Sequence, residues 1–310
     1  MLRQRKQHLP WINGFAFLCS ALLALLPHPA SAATTNLYVT ADNSIVDTDT
    51  ERDYNMGAVS AIRLKVFQHH VILKFNTGGF TNTIVTSAKL HFYEGNSSDI
   101  THVTVSTIQG NWNEGTSGGF ATCEGGSCFN YAAYSANETS RIYWAWKGSK
   151  FPDVVYGNCF SLLNYSDTQM GNDGNSYYEW NVDPDLIAAN FAGASYGLAI
   201  YESSRDLSRN DTVYSKENSL KPYLILTYTN GTITPGNITN LTTSVSGVDR
   251  GEVKLRWTAP INAFAYRIRY SGPNPEADVP RYLISYAKAQ GQTEEVLIRD
   301  ILTPGSNYTF

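Results

Sequence analysis

The chain has 310 residues, 16% of them charged, with 20 Tyr, 13 Phe, 24 Gly and a formal charge of -4. Strand formers and turn formers dominate, which excludes a mainly helical protein. An acidic chain lacks the basic footprint that phosphate binding needs, so no nucleic-acid partner is expected.

The N-terminus reads as a secretory signal peptide over residues 1–32. Arg3, Arg5 and Lys6 form a basic n-region, Phe15 to Leu26 is an apolar run broken by Cys19 and Ser20, and Ala30-Ser31-Ala32 offers a cleavage site. The run is shorter than the roughly 20 residues that cross a bilayer. No later stretch is long and apolar enough either, so no membrane span is expected. Cleavage after Ala32 gives a secreted or cell-surface protein and takes the formal charge from -4 to -7.

Period-two alternation then recurs along the chain. Ile62, Leu64 and Val66 alternate with Arg63, Lys65 and Phe67; Val71, Leu73 and Phe75 with Ile72 and Lys74; Ala88, Leu90 and Phe92 with Lys89, His91 and Tyr93. Each run predicts a half-buried strand. Asn76-Thr77-Gly78-Gly79 and Glu94-Gly95-Asn96 supply turns. Later strands are predicted over Tyr178–Val182, Tyr196–Tyr201 and Tyr223–Tyr228. A short helix is predicted over Pro184 to Phe191, with Asp183 as N-cap and Pro184 at the first helical position. Residues 115–176, rich in Gly, Ser and Asn, read as an elaborated loop region dense in aromatics.

These elements predict an all-β chain. A jelly-roll-like sandwich occupies residues 33–230, a linker 231–236, and a second strand register begins at 237 and runs to 310. In that second part Val253, Leu255 and Trp257 alternate, and Pro260 closes the strand.

Nine short pieces carry a resemblance, in order. They are Ala41-Asp42, Tyr54-Asn55-Met56-Gly57, Leu64-Lys65-Val66, Leu73-Lys74-Phe75, Ala88 to Tyr93, Trp112-Asn113-Glu114-Gly115-Thr116, Gly197 to Ile200, Tyr214-Ser215-Lys216-Glu217 and Lys221 to Leu224. Together they make residues 41–228 resemble the DNRLRE-type module, a group that includes the family 96 carbohydrate-binding modules. The family usually has Asn-Tyr-Gly where this chain has Tyr54-Asn55-Met56-Gly57. Residues 237–310 resemble a fibronectin type III domain through Trp257 and the pair Leu302 and Tyr308, which matches its tyrosine corner. The resemblance implies an immunoglobulin-like sandwich, incomplete at Phe310, with further domains of the same chain beyond residue 310. The first of the two likenesses implies a carbohydrate-binding role, and the second a spacer.

Between Gly57 and Tyr93 there is no Asp or Glu. Arg63, Lys65, Lys74 and Lys89, with His70 and His91, fall opposite the apolar residues and beside Tyr93. They predict an exposed basic stripe suited to an anionic polysaccharide such as a uronate polymer. Trp144 and Trp146 are a second candidate, two rings on one side of a strand that would stack on sugars, or else core. Asp42 and Asp47, with Asp49 and Asp53, crowd the first loops and are candidate ligands for a structural calcium ion. Cys123 and Cys128 flank a four-residue loop and are expected to form a disulfide in an oxidising compartment; pairings with Cys159 stay open. No nucleophile motif, zinc-protease motif or phosphate loop is present, so a non-catalytic chain is expected. His69 and His70, adjacent on a strand, point to opposite faces and do not chelate one metal. The alternative to glycan binding is a structural or adhesive spacer.

Overall fold

The computed structural model describes residues 32–310, apart from 67, 81, 96–102, 120, 156–163, 167–168, 171–176, 203–210, 246–248, 264, 274–276, 280–283 and 285–286. The leader as far as Ser31, and Cys159, lie outside the described residues. Ala32–Phe310 is one compact unit.

Its strands are β1 (Ala33–Val46), β2 (Tyr54–Asn55), β3 (Ala61–Leu64), β4 (His69–Phe75), β5 (Thr83–Tyr93), β6 (Val103–Thr107), β7 (Ala121–Thr122), β8 (Asn164–Ser166) and β9 (Gln169–Met170). They continue with β10 (Tyr177–Val182), β11 (Leu198–Glu202), β12 (Asp211–Tyr214), β13 (Tyr223–Asn230), β14 (Thr242–Ser244), β15 (Val253–Thr258), β16 (Arg269–Tyr270), β17 (Ala277–Asp278) and β18 (Thr293–Ile298). Among the described residues nine of them hydrogen-bond in the order β8-β6-β11-β4-β1-β13-β5-β10-β9, all antiparallel. The chain is thus an all-β sandwich.

The long strand β1 makes two layers from one sheet. Ala33 to Tyr38 pairs with β13, Val39 to Val46 pairs with β4, and the register shifts between Val39 and Ala41. A bulge there bends the strand and lets it serve both layers. Between them lies the core. Leu37, Leu224, Leu90 and Trp180 meet in one cross-strand row on one layer, while Leu73 and Leu198 pair on the other. The expected core residues Leu64, Leu73, Phe75, Leu90, Phe92, Leu198, Ile200, Leu224 and Leu226 all belong to this cluster. Helix Pro184–Phe191 adds Leu186 and Ile187 to it, with the Asp183 carboxylate accepting the Asp185 N–H at 3.0 Å.

The β4-containing layer is buried on both faces. Its outer side carries Ile45, Ile72 and Ala199, and a segment between Ile108 and Val155 lays Trp112, Phe129, Trp144, Phe151 and Val154 over them. That corrects two expectations. The face of β4 does not look into solvent, and the segment with Trp144 and Trp146 is not a strand. It is a turn, closed by Ser149 Oγ, which accepts the N–H groups of Ala145 at 2.8 Å and Trp146 at 3.0 Å.

The second lobe has its own core of Leu255, Trp257, Tyr270, Val279, Ile284, Val296 and Ile298. β15 pairs with β14 on one side and β18 on the other. The Tyr308 hydroxyl accepts the Thr303 N–H at 2.7 Å. Gln109 of the first lobe donates to the Val279 carbonyl of the second at 3.0 Å. No helix of the described residues is long and apolar enough to cross a membrane.

Candidate functional site

The basic residues expected on one stripe are distributed over three places. Arg63 and Lys65 are half-buried on and just after β3, whose partner is β12 in a separate two-stranded sheet. His70 and Lys74 lie on β4 beneath the covering segment. His70 is 3% exposed, between Phe151 and Tyr201 at ring distances of 6.0 and 5.9 Å. Burial, with His69 beside it, pushes its imidazole down to about 3. The Lys74 ammonium sits 4.6 Å over the Trp112 ring, donates to Asn111 Oδ1 at 3.0 Å and to the Trp112 carbonyl, and is held below its ordinary value by burial. The physical reason is the cover: once the far face of β4 is packed over, its polar residues become internal anchors. Lys89, His91 and Tyr93 stay together on β5, separated from β4 by β1 and β13.

On β5 the register builds a different surface. Tyr38 of β1, Tyr223 of β13, His91 of β5 and Glu179 of β10 stand opposite one another across four strands. Tyr93 and Tyr177 form the next pair along β5 and β10. All point away from the core, because Leu37, Leu90, Phe92, Tyr178 and Leu224, the alternate residues, point into it. His91 is sandwiched between the Tyr223 and Tyr177 rings, 4.5 Å from each at interplanar angles of 17° and 24°. Tyr93 meets His91 edge-on at 4.9 Å, and Tyr38 tilts against Tyr223 at 5.3 Å.

The electrostatics of this row follow from its packing. His91 is 5% exposed, and Glu179 Oε2 lies 3.8 Å from its Nδ1, too far for a hydrogen bond. Burial outweighs Glu179 and holds the imidazole below its usual value. Glu179 instead takes Lys89 at 2.7 Å. The Tyr223 phenol is pushed up by burial and by the nearby Tyr93, Tyr38, Glu179 and Tyr177. The ring faces are largely used on one another, so the face offers edges and hydroxyls, with Tyr38 alone 53% exposed. None of the Tyr38, Tyr93, Tyr177 and Tyr223 hydroxyls bonds to a described residue. Tyr38, Tyr177, Tyr223 and Glu179 escape a strand-by-strand reading, because outward-facing tyrosines become a surface only once the cross-strand register is known.

The other candidates resolve as follows. Trp144 is 2% exposed and donates from Nε1 to the Cys128 carbonyl at 3.0 Å, so it is core; Trp146 is half-buried beside it. Asp47 receives Arg52 at 3.0 Å and Asp49 receives it at 3.1 Å, so neither gathers with Asp42. Asp42, buried on β1, gathers with the half-buried Glu114 and the exposed Glu217, residues from the Trp112 and Tyr214 motifs that sequence reading did not place near it.

Cys123 and Cys128 are both free, against expectation. The two sulfurs turn to different neighbours. Cys123 Sγ accepts the Thr116 N–H at 3.0 Å, whereas Cys128 Sγ faces Asp53 Oδ1 at 3.8 Å and is pushed up to about 12 by burial.

No protein-family model matches the chain, and no curated protein matches it.

Proposed function

We propose that the chain is a secreted, non-catalytic module that holds a polysaccharide against the outer face of β1, β13, β5 and β10. The observation that carries this reading is the row Tyr38–Tyr223–His91 with the neighbouring pair Tyr93 and Tyr177, whose phenol hydroxyls have no partner among the described residues. A broad face of this kind suits the side of an extended polymer rather than a small molecule, which favours a concave pocket. Sugar hydroxyls would bond to the phenols, and the Tyr38 ring would meet a sugar face. Three or four net hydrogen bonds at about 0.5–1.5 kcal/mol each sum to about 1.5–6 kcal/mol, which corresponds to binding of roughly tens of micromolar at best and weaker than millimolar at the low end. Such a module works by avidity within a larger protein.

Of the four cations of the expected stripe only Lys89 is on this face, and Glu179 already partners it. A uronate carboxylate gains about 0.2–1 kcal/mol there. Anionic polymers are therefore favoured only slightly over neutral ones.

Affinity electrophoresis of the purified protein on alginate, pectate and a neutral glucan tests the reading. Retardation is expected, nearly insensitive to salt. A variant with Tyr38→Ala, Tyr93→Phe and Tyr177→Phe should lose most of it while keeping its thermal midpoint, since the stacked rings remain. Undiminished binding by that variant would refute the site. Binding to none of the polymers would favour a structural spacer, the reading to which the self-stacked rings and the Gln109–Val279 contact between lobes lend support.

A further inference from the structure

Three distant segments bring carboxylates to one point. Asp42 comes from β1, Glu114 from the loop after β6, and Glu217 from the loop after β12; one carboxylate oxygen of each lies within 4.8 Å of the others. Their other contacts show what each oxygen lacks. Asp42 is 0% exposed; its Oδ2 accepts the Lys216 N–H at 2.6 Å, but its Oδ1 is buried with no hydrogen-bond partner. Glu114 Oε1 accepts the Asp42 N–H at 2.6 Å, and Glu217 Oε2 accepts the Ser215 hydroxyl at 3.0 Å. The Lys216 ammonium reaches Glu114 Oε2 at 3.1 Å and also contacts Glu217 Oε1. Lys74, the other cation near Glu114, is engaged by Asn111 and Trp112.

The cluster is rigid where it is deepest. Asn55 Nδ2 donates to the Glu114 carbonyl at 2.6 Å and to the Ser127 carbonyl at 2.9 Å. The Asn55 carboxamide oxygen accepts the Gly57 N–H at 3.0 Å. A buried carboxylate oxygen without a partner is costly unless a proton or a cation meets it.

We propose that this is a divalent-cation site that takes calcium through Asp42 Oδ1 and the carboxylates of Glu114 and Glu217, the ion displacing the Lys216 ammonium. The donors are all hard oxygens, with no His or Cys in the group, which is the calcium preference rather than that of zinc or copper. The Lys216 side chain is 24% exposed, so its head can turn out to water. The ion would tie β1 to both loops. This inference does not rest on the glycan reading.

Calcium chloride titrated into the chelator-treated protein, followed by calorimetry and thermal unfolding, provides the test. Saturable binding of a single ion and a raised thermal midpoint are expected. Glu217→Gln should weaken binding by about tenfold or more, and Lys216→Met, which removes the competing ammonium, should tighten it by about tenfold. No heat and no shift of the midpoint in the wild-type protein and, where it folds, in Lys216→Met would overturn the proposal. So would binding unchanged by Glu217→Gln, or a Lys216→Met protein that is destabilised and not rescued by calcium, which is what a purely structural ion pair predicts.

Discussion

At Gly57 the backbone approaches another strand of chain so closely that a side chain has no room. A Cβ there would lie 2.4 Å from the Glu114 carbonyl oxygen. Nearby, Gly115 has a φ of +86°, and a Cβ on it would fall 2.7 Å from the Asn55 carboxamide. Asn55 is the hub between them, bonding Glu114, Ser127 and Gly57. The Tyr54-Asn55-Met56-Gly57 and Trp112–Thr116 motifs are thus two halves of one joint. Gly57→Ala should cost about 1–3 kcal/mol, because the obstacle is backbone and cannot turn aside. Urea unfolding would measure it; a loss below about 0.5 kcal/mol would show that the loops part easily.

Among the elements, the covering segment changes the meaning of β4. Read alone, His70, Ile72 and Lys74 form the solvent side of a half-buried strand. Buried under Trp112, Trp144 and Phe151, the same strand is core on both faces, and Ile72 on the supposed polar side was the one local sign of it. The cover is itself well fastened. Trp144 is 2% exposed, its ring lies 5.2 Å from Phe151, and its indole N–H is bonded to Cys128. Trp144→Ala should therefore lose about 3–5 kcal/mol, as a large buried ring leaves a cavity. Had Trp144 been a surface ring for sugars, the same change would leave stability nearly intact, so equilibrium unfolding separates the two.

The whole molecule carries a consequence of that burial for its response to acid. Burial pushes His69 down to about 4, helped by Arg63 and Lys65, and His70 down to about 3. Both imidazoles stay neutral in the fold while the unfolded chain protonates near 6.5. The stability they confer is complete above 6.5 and is lost as pH falls through 6.5 toward the folded values of about 4 and about 3. Urea midpoints should decline steadily over that window, and His70→Phe, which keeps a ring against Phe151 and Tyr201, should make the decline shallower. A midpoint flat between about pH 7 and pH 4 would contradict the burial of these side chains.

Composition and strand periodicity determined the all-β class and the core residues from Leu64 to Leu226, and capping chemistry determined the helix at Pro184. Each of these depends on neighbours along the chain, where the strand repeat of two and the helix N-terminus have local chemistry. The sites were decided elsewhere. Which outward tyrosines share a surface depends on the register among β1, β13, β5 and β10, and which carboxylates meet depends on loops some 70 and 170 residues apart in the chain closing on β1. Whether Lys74 is a surface cation or an internal anchor depends on what covers β4. Alternation names the two faces of a strand, but only tertiary packing says which of them meets water.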